Sequence, residues 1–125
     1  MRGALADTHA LLWWLLDDRR LSVVARDVLA AGEPPVHFSA ASIWEIAIKT
    51  AAGKLVVPDS YLEAIELDGF LELPMSARHT MRAGELPVLH RDPFDRMIVA
   101  QAQIEDLTVI THDRSIAEYD VNVMW

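Results

Sequence analysis

The residues with chemistry to offer are acidic and scattered. Asp7, Glu45 and Asp113 lie far apart in the chain, and a fourth acid, Asp95, sits inside His90-Arg91-Asp92-Pro93-Phe94-Asp95-Arg96. The pattern places each where a strand ends or a helix begins. In an open α/β sheet such places line one crevice beyond the carboxyl ends of the strands. Four carboxylates crowded there repel one another and are costly to keep ionised without a cation. A hard divalent ion with oxygen ligands, Mg²⁺ or Mn²⁺, relieves that conflict. Such an ion lowers the pKa of a bound water and stabilises a leaving oxygen, which points to hydrolysis of a phosphodiester.

The elements that must position these acids follow from local signals. Gly3–Ala6 is a short apolar run ending at Asp7, and an apolar helix is expected from Thr8 to Leu16. Ser22 is placed to cap a helix over 23–31, with Gly32-Glu33-Pro34-Pro35 after it. Residues 36–39 form a second strand, and 40–52 have helical spacing, with Glu45 and Lys49 four apart. Pro58-Asp59 opens a helix running to about Leu67, a third strand covers 70–73, and a short helix covers 76–83. Pro93 to Glu105 is a strong helix, 107–110 the clearest strand, 113–119 a short helix and 121–125 a last strand. Strands alternate with helices and no hairpin turn joins two strands. That pattern predicts βα units, a mostly parallel sheet of four to five strands and helices on both faces, a three-layer α/β/α domain.

Each acid also has a plain structural reading. Asp7, Asp92 and Asp113 suit helix caps, and Ser42-Ile43-Trp44-Glu45 matches a capping box with Glu45 reaching back to the cap. Asp92-Pro93-Phe94-Asp95 is a good helix start in its own right. Capping accounts for any one of them; it is the set of four that favours a metal site.

Composition narrows the rest. The chain has 125 residues, 52% of them apolar, which suits a single domain over 1–125 with a core of its own. There is no cysteine, so thiolate sites and disulfides are excluded. Asp7 interrupts the N-terminal apolar run too early for a signal peptide, and Ala10–Leu16 is too short to span a bilayer. A soluble, cytoplasmic protein with no membrane partner is expected. A net charge of −8 argues against a nucleic-acid-binding module. It is compatible with a nuclease, whose carboxylate site is negative until metal fills it.

Read in order, four pieces resemble PIN-domain ribonucleases, in particular VapC-like toxins of bacterial type II toxin–antitoxin pairs. They are Asp7-Thr8-His9-Ala10-Leu11-Leu12-Trp13, Ser42 to Lys49, His90 to Arg96 with Ala100-Gln101-Ala102, and Thr111-His112-Asp113. They span nearly the whole chain, and it departs from the pattern at none of these positions. The resemblance implies a sheet ordered 3-2-1-4-5 and a Mg²⁺- or Mn²⁺-dependent endoribonuclease. It makes Asp7, Glu45, Asp95 and Asp113 the catalytic and metal-binding acids, with Thr111 and Asp92 in support. It further implies a homodimer and a cognate antitoxin covering the groove.

Lys49, Arg91, Arg96 and Arg114 are candidates for RNA phosphate contacts, weighed evenly against ordinary surface roles. His9, His90 and His112 could serve as a general acid or phosphate contact, but loop polarity is the favoured reading; Trp13 and Trp14 are read as core rather than as base-stacking platforms. Two other functions fit parts of the pattern. A phosphatase would use Asp7 as a covalent nucleophile, but it calls for a second aspartate where the chain has His9. A non-catalytic interaction module would use the acids only as caps.

Overall fold

A computed structural model describes all residues, 1–125. Its elements follow in the order β1 (Ala4–Ala6), α1 (Thr8–Leu15), α2 (Val23–Ala31), β2 (Val36–Ser39), α3 (Ala40–Ala51), α4 (Tyr61–Leu67) and β3 (Leu71–Leu73). Then come α5 (Ala77–Glu85), α6 (Pro93–Glu105), β4 (Thr108–Ile110), α7 (Arg114–Ala117) and β5 (Val123–Met124). The five strands form one sheet in the order β3-β2-β1-β4-β5, and every pairing is parallel. This is the expected three-layer α/β/α fold and strand order.

Side chains alternate between the two faces of a strand, and that period divides the core. Ala4 and Ala6 of β1, with Phe38 and Ile110, pack beneath α1 to α4, against Leu11, Leu29, Ile46 and Ile65. Leu5 and Val109 face the other way, beneath α5, α6 and α7, against Ile98, Val99 and Ile116. The alanines that made β1 a poor strand by propensity are fully buried. Small side chains there let the helical layers approach the central strand. The backbone before β1 is equally tight: a Cβ on Gly3 would lie 2.9 Å from Leu107 and 3.3 Å from the Pro35 carbonyl.

The caps form largely as their residue types dictate. Ser22 accepts from Ala25 N–H, Asp92 from Phe94 and Asp95, and Ser76 makes a reciprocal box with His79. The exception is α3. Ser39, not Ser42, caps it, because β2 runs straight into the helix and Ser39 still has extended backbone. Ser42 lies inside the first turn and accepts a 2.9 Å hydrogen bond from Thr8 Oγ1, tying α1 to α3. Glu45 therefore stands in the second turn of α3 rather than at its start, and it is no capping residue.

Arg96 also departs from expectation. Its guanidinium turns inward and donates to the carbonyls of Ala83 (2.7 Å), Leu86 (3.0 Å), Pro87 (3.1 Å) and His90 (3.3 Å). The expected phosphate contact gives way to a staple that gathers the 83–90 segment onto α6. Removing it leaves several partly buried carbonyls without their donor. Arg96→Ala should lower unfolding free energy by about 3 kcal/mol, read from urea denaturation. A loss below about 0.5 kcal/mol, typical of a surface residue, would refute the staple.

Candidate active site

The carboxyl edge of the parallel sheet gathers the acids. Asp7 follows β1 and caps α1, its Oδ1 accepting from Ala10 N–H at 2.8 Å. Its Oδ2 accepts from the Thr111 hydroxyl at 2.5 Å, across 104 residues of sequence. Thr111 Oγ1 in turn accepts from Asp113 N–H at 3.0 Å. The adjacency of β1 and β4 thus locks the first acid to the segment carrying the last. Asp7 is only 3% exposed, and burial pushes its carboxyl up against the opposing pull of Thr111, Ala10 and His9.

Asp113 caps α7 through Ser115, whose N–H and hydroxyl donate to Oδ1 at 2.9 and 2.6 Å. Partial burial pushes its carboxyl up, but Ser115 and His90 outweigh that and hold it below the usual value. Asp95 lies in the first turn of α6. Its carboxyl is pushed up to about 6 by burial and by Asp92, opposed by His90, with Asp7 adding a further upward push. Asp92 caps α6 with Oδ1, so its carboxylate both builds the helix start and crowds Asp95.

His90, favoured as mere loop polarity in the sequence, sits among the acids. Its Nε2 lies 2.8 Å from Asp95 Oδ2 and 3.6 Å from Asp113 Oδ2, so it bridges two acids from different elements. One ligand atom each from His90, Asp95 and Asp113 falls within a 4.8 Å group. The backbone holds the ring in place, because His90 N–H donates to the Tyr119 hydroxyl at 2.9 Å. No spacing rule finds a ligand in an irregular loop. The only sequence signal was its position just ahead of the Asp92 cap.

Glu45 stands to one side. It is buried, and its Oε2 accepts from Lys49 Nζ at 2.8 Å while Oε1 has no partner. It makes no hydrogen bond or ion pair with Asp7, Asp95 or Asp113. Its helix reaches the others through the neighbouring pair Trp44 and Phe94, whose rings meet edge to face at 5.4 Å, and through Thr8 and Ser42. Lys49 lines a cleft beside His9 and Trp13. Arg91 and Arg114 are exposed and unpaired within the chain.

These residues fit a divalent cation. The donor set is mostly carboxylate oxygen, the choice of hard ions. A buried, partnerless Glu45 Oε1 is costly unless something binds it. Asp95, pushed up to about 6 by burial first and then by Asp92 and Asp7, is a carboxyl that a nearby cation would help to ionise.

Comparison with known proteins agrees with this architecture. The family model described as PIN domain matches residues 4–122. No curated protein matches the chain in sequence. Among solved structures, VapBC2 from Rickettsia felis, bound to a DNA fragment from its promoter, superposes with a TM-score of 0.73 at 15% identity, covering 98% of this chain and 97% of that one. DNA-bound VapBC from Salmonella typhimurium gives 0.71 at 17% identity, with 99% and 98% covered. A toxin–antitoxin complex from Klebsiella pneumoniae gives 0.69 at 22% identity, with 98% and 96% covered. At such identities the likeness is one of fold.

Proposed function

Because the chain belongs to the PIN-domain family, we propose that it is a Mg²⁺- or Mn²⁺-dependent endoribonuclease and the toxin of a type II toxin–antitoxin pair. The observation that carries this is the meeting of Asp95 and Asp113 at His90, with Asp7 tied through Thr111 to the segment bearing Asp113 and near enough to push on Asp95, and with an orphaned Glu45 oxygen on the adjoining helix. Asp7, Glu45, Asp95 and Asp113 would hold the ion. When bound, the ion supplies positive charge that acidifies water and stabilises charge on the leaving oxygen.

The chain's own residues set the geometry. Thr111 fixes the orientation of Asp7, and Ser115 fixes that of Asp113, so neither carboxylate must be ordered during reaction. Asp92 stiffens the start of α6 and so places Asp95. His90 stands between Asp95 and Asp113, 2.8 Å from the first and 3.6 Å from the second. Arg91 and Arg114 remain as cations for substrate phosphates, and Lys49 would serve there only while shared with Glu45. In-line attack of water then leaves 5′-phosphate and 3′-hydroxyl ends.

The cap-only alternative has real support, since Asp7, Asp92 and Asp113 all cap helices. It leaves Asp95 and Glu45 unexplained, because neither side chain caps anything. The phosphatase alternative suffers from the burial of Asp7 and the use of both its oxygens as acceptors. The antitoxin is inferred from the kinship in fold with toxin–antitoxin complexes, and a homodimer and cytoplasmic residence belong to the same reading. No helix is long and apolar enough to cross a membrane.

The test is cleavage of end-labelled RNA by purified protein. Cutting should require Mg²⁺ or Mn²⁺, stop in EDTA and return when the ion is restored in excess. Equal cutting with and without EDTA would refute metal dependence.

A further inference from the structure

Two clefts meet beside the acids. One, of about 210 Å³, is lined by Asp7, His9, Trp13, His112 and Asp113. The other, of about 220 Å³, is lined by His9, Trp13, Arg20, Lys49, Lys54 and apolar neighbours. His9 and Trp13 belong to both, so the two form one track with an acidic end and a basic end. In a chain of net charge −8, three cations gather in one small cleft, of which Lys54 alone makes no ion pair.

The wall between the ends is aromatic, with the His9 and Trp13 rings tilted 37° to one another. His9 and Trp13 are four residues apart on α1 and share a face of the helix, their rings 5.6 Å apart. The Arg20 guanidinium lies over the Trp13 ring at 4.9 Å, so on that side an incoming base would meet the exposed guanidinium. Trp125 supports it from behind, edge-on to Trp13 at 5.6 Å and 5.3 Å from His112. Arg20 is committed to Asp18 and Lys49 to Glu45, but Lys54 is exposed with no acid near it.

Aromatic rings and guanidinium planes stack on unpaired bases, and flanking cations track the backbone. We propose that the His9–Trp13–Arg20 wall, with Lys54 beyond it, is a stacking subsite for an unpaired nucleotide next to the phosphate held at the acids. The proposal rests on the ribonuclease reading. It adds residues that reading did not include, and a reason for selectivity: a base inside a duplex has no free face to offer this wall.

The experiment uses the full-length protein in an Asp7→Asn background, with Mn²⁺ present. Anisotropy of a labelled oligouridine reports affinity, and cutting of the same RNA is followed separately in the Asp7 protein. His9→Ala should weaken oligouridine binding about tenfold. Lys54→Gln, at an exposed position that folding does not need, should reduce the slope of log Kd against log salt by about 1. A duplex of matching length should bind at least about tenfold more weakly than the single strand. If the Asp7 protein cuts RNA but both substitutions leave affinity and salt slope unchanged, the subsite is refuted and the cleft is left as a surface for a protein, while the ribonuclease reading stands. Equal affinity for duplex and single strand also overturns the subsite. If no RNA is cut but the substitutions still weaken oligouridine as stated, the subsite stands and the ribonuclease reading falls.

Discussion

Asp7→Asn protein is expected to cut RNA at least about 100-fold more slowly than the unchanged protein, at saturating Mn²⁺, while folding normally. Partners that merely orient a metal ligand contribute about 10- to 100-fold, and Asp7 is assigned here as a ligand itself. The amide removes the charge and turns one of the two oxygens into a donor. It keeps the other oxygen for Ala10 N–H, and asparagine caps helices as well as aspartate does. The cost of burying a charged carboxylate disappears with the substitution, since burial is what raises Asp7. The melting temperature of the metal-free protein should therefore hold or rise. Loss of activity with loss of fold would say nothing of chemistry, so both are measured. An Asp7→Asn protein that is folded and cuts as fast as wild type ends the assignment.

Asp95→Asn is expected to stabilise the metal-free protein, and to do so only above a definite pH. Folded Asp95 keeps its proton up to about pH 6, whereas the unfolded side chain releases it near 3.8. Below 3.8 both states are protonated, and the aspartate costs nothing. As pH rises through about 6 the folded state must carry an anion beside Asp92 and Asp7 in a partly buried site. That difference, a little over two pH units, corresponds to at most about 3 kcal/mol. The gap between the two proteins should open from pH 4 and level off above 6. Mn²⁺ in large excess should reverse the order, because a cation present at about 1,000 times its Kd stabilises by about 4.1 kcal/mol, more than the gap, and the variant has lost a ligand. Parallel stability curves from pH 4 to 7, without metal, would show that Asp95 is not crowded at all.

The layout of the fold was legible because its punctuation is chemical. Ser22, Asp92-Pro93 and Gly32 mark helix ends by what they can bond or what backbone they tolerate. The alternation of strand and helix then forces parallel neighbours. Strand order was not readable from periodicity, since three-residue strands such as Ala4–Ala6 carry no partner information; it came from family likeness. Ser42 misled because Ser-x-x-Glu is a capping box only where a helix begins, and Ser39 begins it first. Arg96 misled for a different reason. Where a guanidinium goes depends on which carbonyls a loop leaves open, and the carbonyls of 83–90 have no signature. His90 shares that difficulty, as a loop residue that meets Asp113 only in the fold; His9 and Trp13 are neighbours on α1, but nothing in the sequence brings Arg20 and Trp125 onto Trp13.

The bond between Asp7 and Thr111 has a temporal implication. Its partners stand at opposite ends of the chain, and the strands that unite them, β1 and β4, are neighbours in the sheet. Pairings so distant form late, after the intervening loop entropy has been overcome. During synthesis the emerging polypeptide holds its reactive anions apart until the ribosome has delivered residue 111 and beyond. A half-made molecule therefore lacks the tie between its first and last acids, and the pocket they share is completed only near the end of synthesis.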